Sequence, residues 1–303
     1  MSECNSDSIK TVTIGPTEIV VPRIGVGTNH WEKGENDEEI QKVYKALLDK
    51  GVNFFDTAEI YTGGKSEQLL GDCIKQDERP IVIASKYQPN ENRHTKKDFM
   101  EALEGSLGRL KVDALDLYYV HTPPSAQSIE ELMDYMAEAV DAGKVHSVGV
   151  SNFDASQMEK AWDRLMEHGL KLAANQVEYS LLHRDPEHNG VLEACETLNV
   201  SLVAYRPLSR GRLTSAKMSG YSMAAGSSSV SKSPLFNVLM SVAQAHGGSV
   251  GQVALNWLLG KGELVIPIPG ATNVNHVLDN VGALEWEMSR SELEELEEAS
   301  TIP

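Results

Sequence analysis

Residues 114–152, ALDLYYVHTPPSAQSIEELMDYMAEAVDAGKVHSVGVSN, hold one complete strand–helix–strand unit. Two near-continuous apolar runs, Ala114–His121 and Val145–Asn152, enclose a segment in which Ile129, Leu132, Met133, Met136 and Val140 recur at helical spacing. Ser128 with Glu131 forms a capping box at the helix start, and Gly143 closes its end. Strands that are apolar at consecutive positions fit a parallel sheet buried on both faces.

The same unit recurs in both directions. Further apolar runs fall at Arg23–Thr28, Val52–Asp56, Ile81–Lys86, Ala173–Glu178, Ser201–Tyr205 and Leu264–Pro267, which brings the total to eight. Between them, Ile40, Val43, Tyr44, Leu47 and Leu48 line one helix face that Gly51 stops. Ser249 with Gln252 and Ser289 with Glu292 open two later helices. Eight β-then-α units predict an α/β fold, a closed (β/α)8 TIM barrel, as one domain over residues 1–303. An open doubly wound sheet is the alternative. Residues 10–22 alternate in polarity around Gly15-Pro16 and predict a β-hairpin ahead of the barrel. Residues 1–9 are expected to be disordered, and residues 214–234, rich in Ser, Gly and Met, to form a flexible loop.

Composition narrows the function. Lys and Arg total 27 against 44 Asp and Glu, a net charge of −17, which repels phosphate backbones and anionic lipid. Nucleic-acid and membrane partners are therefore not expected. No apolar run approaches the ~18 residues of a membrane span, and MSECNSDSIK lacks a secretory apolar core. Cys4, Cys73 and Cys195 are too few and too scattered for a disulfide framework or a zinc site, which suits a reducing cytoplasm.

In a barrel, the C-terminal strand ends converge on one mouth. Asp56 ends the second strand, with Tyr61 in its loop; Lys86 ends the third and His121 the fourth. Ser151 and Asn152 end the fifth, Gln176 lies late in the sixth, and Tyr205 ends the seventh. A tyrosine phenol with a reference pKa near ~10 gives up its proton reluctantly. A lysine within about 4–6 Å lowers that pKa, and Asp56 can hold Lys86 charged. Tyr61 is then a general acid, and His121 can orient a carbonyl oxygen. Protonating that oxygen requires a nucleophile at carbon. With no metal-ligand spacing and no cysteine pair, the nucleophile is expected to be a hydride from an organic cofactor. A Schiff-base amine on Lys86, as in an aldolase, is the rival chemistry.

The ordered motifs FFDTAEIYTGGKSEQLLG (54–71), ASKY (84–87), LDLYYVH (115–121), VGVSNF (148–153), NQVEYSLL (175–182), VAYRPLSRG (203–211), QVALNWLL (252–259) and IPIPGATNVNHVLDN (266–280) resemble the aldo-keto reductases. The last motif is most similar to the branch with plastid and bacterial reductases and potassium-channel β subunits. The resemblance implies a catalytic tetrad of Asp56, Tyr61, Lys86 and His121, and an NADP(H)-dependent reduction of aldehydes or ketones. It implies that Ser151, Asn152 and Gln176 grip the nicotinamide carboxamide, that Tyr205 stacks on its ring, and that Gly27 and Thr28 lie beside it. Leu208, Ser209 and Gly211 would wrap the pyrophosphate. Gly270, Thr272, His276, Asp279 and Asn280 would hold the adenosine end. A cofactor-sensing subunit with slow turnover is the other reading.

Two departures stand out. Arg206 replaces the usual Ser after the stacking Tyr, and Thr272–Asn273 offer no Lys or Arg to a 2′-phosphate. Arg206, Arg210 and Arg212 can supply cofactor-directed charge instead. His276, with a reference pKa near ~6.5, would make the NADPH preference depend on pH. Trp31, in the first βα loop, is expected to wall the substrate pocket.

Overall fold

The expected hairpin opens the chain, with β1 (Thr11–Thr13) antiparallel to β2 (Val20–Pro22) and Val12 opposite Val21. The structure, a computed structural model, describes residues 9–32, 37–214 and 234–300. Gly15 turns the hairpin at φ +49° and donates its N–H to Ser201 Oγ at 2.7 Å. A Cβ there would lie 2.2 Å from the Ala173 carbonyl oxygen, so only glycine fits this close approach. Ala173 and Ser201 sit at the starts of barrel strands, so the hairpin stops the N-terminal end of the barrel.

Eight parallel strands follow in chain order, each beside its predecessor: β3 (Val26–Gly27), β4 (Phe54–Asp56), β5 (Val82–Tyr87), β6 (Leu115–Val120), β7 (Val145–Ser151), β8 (Leu172–Glu178), β9 (Ser201–Tyr205) and β10 (Val265–Pro267). The ring closes where the Gly25 and Gly27 N–H groups donate to the Pro267 and Pro269 carbonyls at 3.0 and 3.2 Å. The seam is thin because Pro269 has no N–H with which to return a bond. For the same reason β3 is two residues long, shorter than the apolar run from Arg23 to Thr28 suggests. The closed ring excludes the open doubly wound alternative.

The helices form the outer layer: α1 (Asp37–Asp49), α2 (Lys65–Gln76), α3 (Lys96–Leu110), α4 (Ile129–Asp141), α5 (Ala155–Glu167), the short α6 (Asp185–His188) with α7 (Val191–Leu198), α8 (Pro234–His246), α9 (Val250–Leu259), α10 (Val274–Gly282) and α11 (Arg290–Ser300). The Ser128/Glu131, Ser249/Gln252 and Ser289/Glu292 caps are all made. Two more capping boxes are present, Thr95/Asp98 on α3 and Asp154/Gln157 on α5. Each such cap contributes about 1 kcal/mol. A large core fills the space between strands and helices. A smaller one, with Phe54, Leu117, Tyr119, Val203 and Ile266, fills the barrel interior above Val12, Ile14 and Val21 of the hairpin.

The expected disorder over 1–9 and flexibility over 214–234 fall mostly outside the described residues. At their edges, Ile9 packs against the core, Thr214 Oγ1 donates to the Gly211 carbonyl at 2.8 Å, and Pro234 already begins α8. Cys4 also lies outside the described residues; Cys73 and Cys195 are free and buried. Among the described residues, no helix is long and apolar enough to cross a membrane.

Candidate active site

Asp56 is the last residue of β4 and Lys86 the next to last of β5. Tyr61 starts a one-turn 3-10 helix, Tyr61–Gly64, after β4, and His121 directly follows β6. The strand ends therefore bring four distant side chains to one mouth, as expected from the sequence. Lys86 is fully buried. Its Nζ donates to Asp56 Oδ1 at 2.5 Å, to the Thr57 carbonyl at 2.7 Å and to Tyr61 Oη at 3.3 Å. The Tyr61 and His121 rings meet edge to face, with centroids 5.8 Å apart.

Burial sets the electrostatics. It opposes charge on Lys86, but Asp56 and Tyr61 outweigh it, and the ammonium ends above its ordinary pKa. Burial pushes the Asp56 carboxyl up; Lys86 and a hydrogen bond from Gln176 pull against it, and the net direction is upward. Two close donors, Lys86 Nζ and Gln176 Nε2, favour its ionised form against that burial. For Tyr61 the sequence-based expectation needs correction. Lys86 does lower the phenol's pKa, but burial raises it more, and the net direction is upward. The phenol therefore keeps its proton at neutral pH, as a proton donor must.

His121 is pushed down to about 3, first by burial and then by the Lys86 charge. Its ring is neutral near neutral pH and acts as a hydrogen-bonding group, not a cation. The unfolded chain protonates this histidine near ~6.5. Stability due to the neutral ring is thus present above about 6.5 and is lost as pH falls toward 3. We expect His121→Gln to lose less stability than the parent between about pH 6.5 and 4.5. Thermal unfolding of both proteins across that range checks it; parallel curves would remove His121 from the acid response.

The second group of expected residues surrounds this centre. Ser151 Oγ donates to the Gln176 carbonyl at 2.8 Å, and Asn152 Nδ2 to the His121 carbonyl at 3.0 Å. Tyr205 Oη donates to Asn152 Oδ1 at 2.9 Å, which fixes its ring. Asn152, Arg206, Ser209 and Arg210 all hold positive φ, a backbone strain concentrated at the mouth. At the far end, Asn273 caps α10 and accepts from the His276 N–H at 3.0 Å, and His276 Nε2 is 3.2 Å from Asn273 Nδ2. A cluster of hydroxyl and amide side chains, a fixed aromatic ring, an arginine-bearing loop and a helix N-terminus form a donor set that fits a nicotinamide adenine dinucleotide phosphate.

The profile of the Aldo/keto reductase family matches residues 23–301. The chain belongs to that family. It is 34% identical to the chloroplast pyridoxal reductase of Arabidopsis thaliana, over 95% of this chain and 85% of that protein. It is 31% identical to a methylglyoxal reductase of Escherichia coli, over 94% and 93%. An aldo-keto reductase from Klebsiella pneumoniae, solved in complex with NADPH, superposes with a TM-score of 0.81 at 29% identity, covering 97% of this chain and 96% of that one. The relatives fall in the branch of plastid and bacterial reductases and potassium-channel β subunits.

Trp31, Thr28 and Arg206 of this aldo/keto reductase sit differently from expectation. Trp31 does not wall a pocket: it is fully buried edge-on to Phe55 and donates Nε1–H to the Ala271 carbonyl at 2.8 Å. It pins the first βα loop to the loop after β10. Thr28 is also fully buried; its Oγ1 bonds the Asp56 carbonyl at 3.0 Å and Ser66 Oγ at 2.8 Å, beneath the mouth. Arg206 lies over the Tyr205 ring at 5.5 Å and pairs with Glu178 at 2.7 Å. Gly27 bridges to Gly270, and Asn280 Nδ2 donates to the Gly270 carbonyl at 3.3 Å. Asp279 Oδ1 accepts from Gln252 at 3.4 Å. Leu208 packs against the core, and Ser209 and Gly211 bound a 3-10 turn.

Sequence reasoning missed the residues that support the centre. Buried Glu67 accepts from Ser85 at 2.5 Å and from Arg109 at 2.6 Å, tying α2 to the strand that carries Lys86. Glu59 accepts from the Gln88 N–H at 2.7 Å and from Arg93 at 2.9 Å, tying the β5–α3 loop to the loop that leads to Tyr61. Glu67 stood in the quoted GGKSEQLLG stretch, where a buried carboxylate required a cation. Nothing local marked Arg109.

Proposed function

We propose that this chain is an NADP(H)-dependent oxidoreductase that reduces aldehydes or ketones to alcohols, with Tyr61 as the proton donor. The observation that carries the reading is Lys86 Nζ between Asp56 Oδ1 at 2.5 Å and Tyr61 Oη at 3.3 Å, at the mouth of the barrel. When bound, the nicotinamide supplies a hydride to the carbonyl carbon. Ser151, Asn152 and Gln176 bind its amide, and Tyr205 stacks on its ring. Leu208, Ser209 and Gly211 wrap the pyrophosphate, with Arg210 and Arg212 adding positive charge. Gly27 and Gly270 give the cofactor close approach to the backbone, and Thr272, His276, Asp279 and Asn280 hold the adenosine end. His121, neutral, donates a hydrogen bond that orients the carbonyl oxygen. Tyr61 passes its Oη proton to that oxygen as negative charge develops there, and Lys86 stabilises the phenolate left behind. The fully buried Lys86, with three acceptors around it, is charged and unsuited to Schiff-base attack, which disfavours the aldolase chemistry. Free, buried Cys73 and Cys195 support a reducing, cytoplasmic setting.

The direct test follows NADPH consumption with a carbonyl panel that includes pyridoxal and methylglyoxal, the compounds named for two relatives. Turnover of any member supports the reading; cofactor binding without turnover across the panel would favour a sensor. We also expect NADPH to bind more tightly than NADH. Hydrogen bonds to a charged group contribute roughly 1.5–3 kcal/mol, so His276→Ala should narrow the ratio of dissociation constants by about tenfold or more. An unchanged ratio would pass the 2′-phosphate to the arginine loop.

A further inference from the structure

Gln176 stands where the amide-binding cluster meets the tetrad. It is only 2% exposed. Its Nε2 donates to Asp56 Oδ2 at 2.7 Å, across 120 residues of sequence. Its own carbonyl accepts from Ser151 Oγ at 2.8 Å and from the Asn152 N–H at 2.9 Å. The backbone of residue 176 is therefore clamped from β7 while its side chain reaches across the barrel interior. The two oxygens of Asp56 are shared out, Oδ1 to Lys86 and Oδ2 to Gln176.

We propose that Gln176 is a positioning residue of the proton-donating tetrad, in addition to any contact with the cofactor. Its amide N–H holds the Asp56 carboxylate oriented and ionised. The inference rests on the reading of Tyr61 as proton donor. Its physical basis is the cost of a buried charge. A carboxylate that is 1% exposed has lost its hydration, and each donor on its oxygens favours the ionised form. Without the amide, Oδ2 lacks its partner and the neutral acid is favoured. Lys86, also buried, then loses the counter-charge that keeps it an ammonium, and Tyr61 loses the cation that stabilises its phenolate. A single amide hydrogen bond thus reaches the proton donor through two ionised groups. Lys86 alone cannot serve both oxygens, because its remaining protons go to the Thr57 carbonyl and Tyr61 Oη.

The test compares the parent with Gln176→Met, which keeps the length and removes the donor, and Gln176→Glu, whose carboxyl donates only while protonated. Three quantities are read: kcat at saturating NADPH as a function of pH, the NADPH dissociation constant, and the Asp56 carboxyl titration by NMR in the cofactor-free protein. For Gln176→Met we expect kcat to fall about tenfold to a hundredfold, its acid limb to move to higher pH, and Asp56 to titrate at higher pH. For Gln176→Glu we expect activity to recover as pH falls and to collapse as the introduced carboxyl ionises. A variant that weakens NADPH binding while kcat, its pH profile and the Asp56 titration stay unchanged would overturn the proposal and leave Gln176 a cofactor contact only. If Gln176→Met does not fold, the pH series of Gln176→Glu decides in its place. Absence of turnover in the parent sinks the reductase reading, and the Asp56 titration then decides for Gln176 independently.

Discussion

Tyr61→Phe is expected to cut kcat for carbonyl reduction by about 10²–10⁴-fold, with NADPH affinity within about twofold of the parent. The phenol hydroxyl acts only as charge develops on the carbonyl oxygen, so its loss falls on the transition state and not on ground-state binding. Phenylalanine preserves the edge-to-face contact with His121 and the ring under Lys86 Nζ, 4.9 Å from the centroid. The fold and the mouth are therefore retained, and only the proton is removed. Burial holds that proton in place above the ordinary tyrosine range, so the parent should keep its activity through neutral pH. Steady-state kinetics and a cofactor titration on the same preparation check both halves. A variant with more than about a tenth of parental kcat would take Tyr61 out of the mechanism and turn attention to His121 or to solvent.

Lys86→Met should damage both rate and stability. The ammonium is fully buried and serves Asp56, the Thr57 carbonyl and Tyr61 at once. Its removal leaves a buried carboxylate with one neutral donor, Gln176, a change that costs about 3–5 kcal/mol when one partner of a buried pair is lost. Burial already raises the Asp56 carboxyl in the parent, and without Lys86 it rises further above the unfolded value near ~3.9. A raised acid contributes stability that is present below the unfolded value and is lost as pH rises through the folded one. Lys86→Met should therefore be least stable at neutral and higher pH and recover on acidification. Adding Asp56→Asn should return most of the stability and none of the activity, since the unpaired charge is gone while the proton relay stays broken. Denaturant midpoints across pH and kcat values for the three proteins decide it. An active but unstable Lys86→Met would make Lys86 structural.

Much of the architecture was legible because its determinants are local. The apolar runs, the helix faces and the Ser128/Glu131 type of cap depend on residues within a few positions of one another, and all reappear in the structure. The Thr95/Asp98 and Asp154/Gln157 caps were legible in the same way, but use Asp for Glu at the third position or Asp for Ser at the cap. The short β3 was not legible as such. Its length reflects Pro267 and Pro269 on a partner more than 230 residues away, whose missing N–H groups thin the ladder.

The barrel, the hairpin ahead of it and the four residues at its mouth can be read along the chain, because a strand's end is a one-dimensional property and a closed ring sends every such end to one place. What those residues do to one another is set by the folded barrel. The direction of the Tyr61 pKa turns on whether burial or Lys86 is stronger, and burial exists only in the folded barrel. Thr28 and Trp31 lie under the mouth, not in it, because their loop folds down onto Ser66 and Ala271. Arg206 spends its charge on Glu178 because Glu178 and Tyr205 share a register in the β8–β9 ladder. Gln176 reaches Asp56 across the barrel interior, between strands that are not neighbours. Such pairings depend on register, strand tilt and barrel closure, which no run of neighbouring residues encodes.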